Sequence, residues 1–401
     1  MLENKNVTVF VTGGIAVYKA CDLIRRLIKA GANVRVAMTK SATQFVQPLT
    51  FQVLAKHPVY LDTFDEKEAQ YVAHIHLADW TELAIVAPAT ANTIAKMATG
   101  IADDMVSTTL LATTAPRLIV PAMNEHMWEN PATKANLQKL KEYGYTVMDP
   151  DTGFLAEGYE GKGRLPEPSR IVEEAMLLLL QHTAELPLRG TRVVVSAGGT
   201  KERIDPVRYL TNQSSGKMGY RIAEAARDLG ATVTLVTASN LERPFGMDVV
   251  GVSSALEMQE ALMSKFETAD IVVMAAAVSD FRPVNQSDHK IKKTAGNLEI
   301  ELEKNPDILA GMGQMKKNQF LIGFAAETDH LEEYAQDKLK RKNADMIVAN
   351  DVSKPQAGFD KDTNEVIIFQ PNKEPIHIDT KLKSEVAKDI LQEAIKTITN
   401  L

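Results

Sequence analysis

Twice along this chain a short apolar run closes on a glycine pair, a helical stretch ending in glycine follows, and a second apolar run comes next. The first copy is Val7–Thr12, Gly13-Gly14, Val17–Ala30, Gly31 and Val34–Met38. The second is Arg192–Ala197, Gly198-Gly199, Gly219–Leu229, Gly230 and Thr232–Thr237. Short runs that are apolar throughout read as strands buried on both faces, and helices between them imply a parallel sheet covered on both sides. Leu83–Pro88 and Arg117–Pro121 extend the first sheet, with helical stretches at Thr93–Met97, Met105–Ala112 and Lys134–Tyr143. Asp270–Ala275, Phe320–Phe324, Asp345–Val348 and Val366–Phe369 extend the second. The expected fold is α/β: two doubly wound, Rossmann-like three-layer domains with mainly parallel sheets. The length of 401 residues agrees, since one hydrophobic core stops growing at about 250–300 residues. The boundary is expected near Leu186–Gly190, giving domains 1–186 and 187–401.

Composition narrows the function classes. The formal net charge is −7, which disfavours nucleic acid and anionic membranes as partners but leaves small phosphorylated ligands open. The single cysteine, Cys21, allows neither an intrachain disulfide nor a cysteine metal site. The start, MLENKNVTVFVTGG, is too polar for a secretory signal. No apolar run reaches the roughly 18 residues of a membrane span, and Ala175–Leu180 reads as part of an amphipathic helix. A cytoplasmic protein is expected.

Ligands of such sheets bind at the carboxyl ends of the strands. The segments of interest are therefore Gly13–Ala16, Thr39–Ser41, Pro88–Asn92, Pro121–Trp128, Gly198–Thr200, Ala275–Asp280 and Ala325–Thr328. A glycine turn before a helix suits a phosphate, although many such turns are only tight connections. A nicotinamide dinucleotide is the obvious alternative. It is disfavoured because neither turn is G-x-G-x-x-G, and the second strands end in Met38-Thr39-Lys40-Ser41 and Thr237-Ala238-Ser239 rather than in an acid.

Four segments converge in the first half: Gly13-Gly14-Ile15-Ala16, His74-Ile75-His76-Leu77, Pro88-Ala89-Thr90-Ala91-Asn92-Thr93 and Pro121-Ala122-Met123-Asn124-Glu125-His126-Met127-Trp128. Taken alone, each has a bland reading. A histidine before an apolar run is usually a cap or a surface residue, Met123, Met127 and Trp128 are core-type residues, and Asn124 suits a turn. His74-x-His76 could be a metal pair but lacks an evident third ligand. In this order, over about residues 5–180, the segments resemble the homo-oligomeric flavin-containing cysteine decarboxylases, specifically phosphopantothenoylcysteine decarboxylase. The resemblance implies that Gly14, Ser41, Ala89, Asn92 and the Ser107 region hold FMN. It implies His74 as catalytic base and Asn124 as the residue binding the substrate carboxylate, with Met127 nearby. The residue types suit the chemistry. A histidine titrates near neutral pH, and an uncharged amide orients a carboxylate without the ion pairing that would oppose its departure.

One position departs from the pattern. The family reads Ala-Cys-Gly ahead of a G-x-G-R turn, and its cysteine donates a proton in the reduction step. Here Ala156-Glu157-Gly158 precedes Gly161-Lys162-Gly163-Arg164. A buried Glu157 with a raised pKa could take over as donor. The alternative is a first half that binds flavin as an assembly module without turnover.

In the second half, Ser196–Thr200 leads into a long polar stretch, Glu202–Gly219, that contains Asn212 and Ser214-Ser215-Gly216-Lys217. The latter lacks P-loop spacing. Supporting segments are Ala275–Phe281, Lys290-Ile291-Lys292-Lys293, Asn305-Pro306-Asp307-Ile308, Gly323–Thr328, Lys338–Asn343 and Ala349-Asn350-Asp351. Over about residues 190–395 they resemble phosphopantothenate–cysteine ligase. The resemblance implies CTP with Mg2+, an acyl-cytidylate intermediate gripped by Asn212, and nucleotide contacts from Ala275, Asp280, Lys290, Asn305, Pro306, Asp307, Ile308, Phe324, Lys338 and Lys342. Asp280 is also the candidate metal ligand. Lys292 and Lys293 are expected in one mobile loop with Lys290. Lys338 and Lys342, four apart, share a helical face, whereas Lys340 reads as solvated. The implied partners are 4'-phosphopantothenate, cysteine and CTP, and the implied assembly is a homo-oligomer, a dodecamer of decarboxylase trimers and ligase dimers.

Overall fold

The computed structural model describes residues 2–65, 71–182, 186–292, 298–327, 331–351 and 361–399. Lys293 and Thr328 of the motifs above lie outside them. Chain contacts divide the protein into two compact units, 1–184 and 185–401.

In the first unit the strands β1 (Asn6–Val11), β2 (Asn33–Met38), β3 (Val59–Tyr60), β4 (Leu83–Ala89), β5 (Arg117–Pro121) and β6 (Thr146–Val147) pair in the order β3-β2-β1-β4-β5-β6. Every pairing is parallel. The connecting helices are α1 (Val17–Lys29), α2 (Pro48–Ala55), α3 (Ala73–Trp80), α4 (Ala91–Thr99), α5 (Met105–Ala112), α6 (Glu125–Glu129) and α7 (Pro131–Glu142). An antiparallel hairpin, β7 (Asp151–Phe154) and β8 (Glu160–Arg164), and the helix α8 (Pro168–His182) complete the unit.

The three layers follow from strand periodicity. Along β1, Val7, Val9 and Val11 face a core shared with α1 and α8, while Phe10 faces the opposite core with α3, α4, α5 and α7. Helix α1 buries Val17, Ala20, Leu23, Ile24 and Leu27, the spacing of a single helical face. It stops at Gly31, whose φ of 91° is open to glycine at little cost.

The second unit repeats the plan. Its strands are β9 (Arg192–Ala197), β12 (Thr232–Thr237), β13 (Asp248–Gly251), β14 (Ile271–Met274), β17 (Phe320–Glu327) and β18 (Met346–Asp351), all parallel. Two antiparallel strands, β19 (Thr363–Phe369) and β20 (Ile376–Leu382), extend one edge, in the order β13-β12-β9-β14-β17-β18-β19-β20. The helices are α9 (Lys217–Asp228), α10 (Ala255–Phe266), α11 (Ile308–Met315), α12 (Leu331–Arg341) and α13 (Lys383–Thr399). Two small hairpins, β10 (Lys201–Arg203) with β11 (Tyr209–Thr211) and β15 (Phe281–Pro283) with β16 (Leu302–Lys304), lie outside the main sheet.

The α/β class with mainly parallel sheets is as read from the sequence. Element ends moved. The helix expected at Gly219 begins at Lys217, after Gly216 turns the chain with φ of 81°. The one expected at Lys134 begins at Pro131, where Asn130 accepts a hydrogen bond from Ala132 N–H and proline fits the first turn.

Candidate active sites

At the tops of β1 and β4, buried Thr12 ties two strand ends together. Its Oγ1 donates to Pro88 O (2.6 Å) and accepts from Thr90 N–H (3.0 Å). This brings Gly14 and the start of α4 to the same rim, with Asn92 exposed in that helix's first turn and Ser41 exposed after β2. Helix α1 begins without a side-chain cap, which leaves N–H donors for an anion at Gly14. Ala89 is buried within β4. Ser107 is buried too, and its hydroxyl is committed to a capping box with Asp104. Burial alone would raise the Asp104 carboxyl, but Lys96 and Ser107 outweigh it and hold it below its ordinary value.

His74 lies in the first turn of α3, and its Nδ1 is buried without a hydrogen-bond partner among the described residues. Buried polar atoms are rarely left so. At the Gly14 rim, an uncapped helix start with exposed Ser41 and Asn92 is a donor set that fits a flavin phosphate. His76 stacks on Tyr71 at 4.8 Å. Among the described residues no three His, Cys, Asp or Glu are grouped as for a metal.

Asn124 caps α6 by accepting from His126 N–H (2.8 Å). Its Nδ2 donates to Glu157 Oε1 (3.1 Å) and to Tyr159 Oη (2.7 Å), both near the tip of the β7–β8 hairpin. Strand β8 is held there by Met123 N–H to Gly163 O (3.0 Å) and Lys162 N–H to Glu125 Oε1 (3.1 Å). Glu157 is exposed, which corrects the expectation of a buried acid: it sits at a hairpin tip beside Gly158, where no described residue covers it. Met127 is also exposed, at 48%.

In the second unit a cavity of about 1070 Å3 opens above the strand ends. Asn212, Ala275, Asp280, Asn305, Pro306, Asp307, Ile308, Phe324, Lys338 and Lys342 all line it. Side-chain bonds knit its walls. Asn212 Nδ2 donates to Val278 O (3.1 Å), and Asn305 Nδ2 donates to Ser279 O (2.8 Å). Lys338 Nζ donates to Phe324 O (2.7 Å). Lys342 is buried and pairs with Asp307, whose other oxygen caps α11 at Ala310 N–H. Burial opposes ionisation of Asp307, yet Lys342 and that amide together lower its pKa. Lys340 is exposed.

Lys290 is the exception, being exposed and absent from the cavity lining. Its neighbour Ile291 is held instead on the β10–β11 turn. Ile291 N–H donates to Asp205 Oδ2 (3.2 Å), and Arg208 donates to Ile291 O (2.9 Å). Arg208 holds the Asp205 carboxyl far below its usual range against the opposing effect of burial, with help from the Val207, Arg208 and Ile291 amides. Such a depressed value stabilises the fold fully above the unfolded pKa of about 3.9 and is lost as pH falls through the folded value. Asp205→Asn should therefore lower the thermal midpoint by a nearly constant amount from pH 8 to pH 5. The gap should close only in stronger acid, and a gap that closed between pH 8 and 6 would contradict this account.

The DNA/pantothenate metabolism flavoprotein C-terminal domain family matches residues 188–398, and the Flavoprotein family matches residues 1–179. The coenzyme A biosynthesis bifunctional protein CoaBC of Bacillus subtilis (strain 168) is 52% identical over 395 residues, 98% of this chain and 97% of that protein. The chain belongs to the CoaBC family. The CoaBC protein of Escherichia coli (strain K12) is 43% identical over 374 residues, 92% of this chain and 91% of that one. A crystal structure of the C-terminal domain of a CoaBC protein is 43% identical, with a TM-score of 0.47, covering 54% of this chain and all of that one.

Within this CoaBC chain, sequence reasoning missed several lining residues. Lys217, Arg341, Asn364 and Lys383 face the same cavity. Lys217 pairs with Asp362 (2.8 Å) and lowers that carboxyl's pKa. Lys217 carried a signal, as the first helical residue after a left-handed glycine. Lys383 carried none, since it reaches the cavity only through the β20–α13 junction.

Proposed function

We propose that the chain is a bifunctional enzyme of coenzyme A biosynthesis. It joins cysteine to 4'-phosphopantothenate at the expense of CTP, then decarboxylates the resulting 4'-phosphopantothenoylcysteine to 4'-phosphopantetheine. The observation that carries this reading is the near-complete alignment with a bifunctional CoaBC relative at 52% identity.

In the ligase half, the substrate carboxylate attacks the α-phosphate of CTP, pyrophosphate leaves, and the amine of cysteine then displaces CMP from the acyl cytidylate. The charge on the triphosphate needs fixed cations. Lys338 and Lys342 supply them from the end of α12, and Mg2+ accompanies the nucleotide with Asp280 as its candidate ligand. Asn212 grips the intermediate from the strand-top loop. Lys290 is a nucleotide contact from a segment whose Ile291 is anchored by Asp205.

In the decarboxylase half, FMN supplies a two-electron sink that makes loss of CO2 feasible and is restored within the same turnover. Gly14, Ser41, Ala89, Asn92 and the Ser107 turn hold it. His74 takes a proton, and Asn124 orients the carboxylate, with Met127 beside it. The protein works as a homo-oligomer, with a dodecamer as the implied state, in the cytoplasm.

Incubation with phosphopantothenate, cysteine, CTP and Mg2+ should release pyrophosphate and CO2 in equal amounts. Pyrophosphate without CO2 would leave only the ligase assignment standing, and neither product would sink the reading.

A further inference from the structure

The decarboxylase reading, on which this inference rests, has a stoichiometric demand. Its net change is R–CO2− + H+ → R–H + CO2. The C–CO2 bond breaks, its electron pair stays on carbon, and a proton must reach that same carbon. The donor therefore has to stand where the carboxylate was held, at Asn124.

The surroundings of Asn124 are specific. Its Oδ1 is occupied by His126 N–H, and its Nδ2 hydrogens go to Glu157 Oε1 (3.1 Å) and Tyr159 Oη (2.7 Å). A substrate carboxylate must take one of these two places. Glu157 presents a carboxylate oxygen in the acceptor role, like for like, from an exposed hairpin tip. Tyr159 differs, because a hydroxyl accepts one hydrogen bond and still donates its own. Its O–H meets no acceptor among the described residues. Its main chain is fixed by Leu155 N–H to Tyr159 O (2.8 Å), close to where β8 docks on Met123 and Glu125.

We infer that the Tyr159 hydroxyl delivers the proton that replaces the departing carboxylate, while Glu157 occupies the carboxylate's place on Asn124 until substrate displaces it. The new C–H bond takes the proton from Tyr159 Oη, and the phenolate regains one from water. The two electrons that a bound flavin withdraws from the CH2–SH group return to the same molecule, so the turnover needs no outside oxidant.

The test uses the full chain loaded with FMN and given 4'-phosphopantothenoylcysteine. With Tyr159→Phe, first-turnover CO2 should stay within about threefold of the parent, while saturated thiol falls about 100-fold or more, the scale of a lost general acid. Mass spectrometry should find a decarboxylated product two hydrogen atoms lighter than 4'-phosphopantetheine. Calorimetric affinity for 4'-phosphopantetheine, which lacks the carboxylate, should not change. Glu157→Gln should not accumulate the lighter product. Unchanged thiol from Tyr159→Phe, a parallel fall of CO2 and thiol, or the lighter product appearing with Glu157→Gln instead would each overturn the assignment. A parent protein that releases no CO2 would remove the decarboxylase reading and this inference together.

Discussion

A single methyl group at position 163 should silence decarboxylation and leave ligation intact. A Cβ built on Gly163 would lie 2.0 Å from Met123 O and 3.2 Å from Met123 C. Both neighbours are main chain, so no rotamer change relieves the clash. Strand β8 would have to lift from Met123, breaking the Met123 N–H to Gly163 O bond (3.0 Å). Asn124, whose carbonyl carbon would lie 3.5 Å from that Cβ, would then shift from where it orients the carboxylate. Misplacement by about 1 Å at a reacting centre costs about 100-fold in rate. Gly163→Ala should therefore cut CO2 release by about that factor and lower the first unit's stability by about 1–3 kcal/mol, as overpacking does. Pyrophosphate release from CTP should be unchanged. Gly153→Ala, on the paired strand, is the control, since its Cβ would meet only the flexible Arg164 side chain at 3.4 Å. A Gly163→Ala protein that decarboxylates normally would show that hairpin docking does not place the site.

The parts of this molecule legible in its sequence are those set by local periodicity. Met105–Ala112, Arg192–Ala197 and Thr232–Thr237 lie where their patterns put them, because a buried strand or a one-faced helix writes its period into neighbouring residues. The residues around the second unit's cavity were legible through the family resemblance, and ten of those it implies line that cavity, at strand ends that a parallel sheet brings together. What escaped depends on contacts distant along the chain. Tyr159 meets Asn124 across 35 positions, through a hairpin whose motif, Ala156–Gly158 ahead of Gly161–Arg164, does not say which residue reaches back. The exposure of Glu157 reflects what surrounds a hairpin tip, which composition does not encode. Lys383 faces the cavity because β19 and β20 turn the sheet edge antiparallel. Lys290 stays out of the cavity lining beside Ile291, whose N–H bonds to Asp205 86 residues upstream, far outside any local pattern.

Alanine at position 313 should do to ligation what alanine at 163 does to decarboxylation. In an isolated helix, glycine to alanine stabilises by about 1 kcal/mol. Here the sign reverses, because a Cβ on Gly313 would lie 1.9 Å from Lys342 O and 2.9 Å from Lys342 C. Helix α11 and the end of α12 touch main chain to main chain, sealed by Asn343 Nδ2 donating to Gly313 O (2.8 Å). Forcing them apart carries Lys342 away from Asp307 and strains the Lys338 bond to Phe324 O. A triphosphate bound by point charges loses them in the geometry that matters, since an ammonium cannot compensate for a shifted backbone by forking as a guanidinium does. Gly313→Ala should lower ligase kcat/KM for CTP by about 100-fold, with CO2 release from supplied 4'-phosphopantothenoylcysteine unchanged. Gly311 separates this from a general intolerance of side chains in α11. Its Cβ would meet only Met263 Cε, at 3.3 Å, and a thioether tip on three rotatable bonds can yield. Gly311→Ala should ligate at close to the parental rate. If both variants lose activity equally, or neither does, the approach of α11 to Lys342 is not what sets the cations in place.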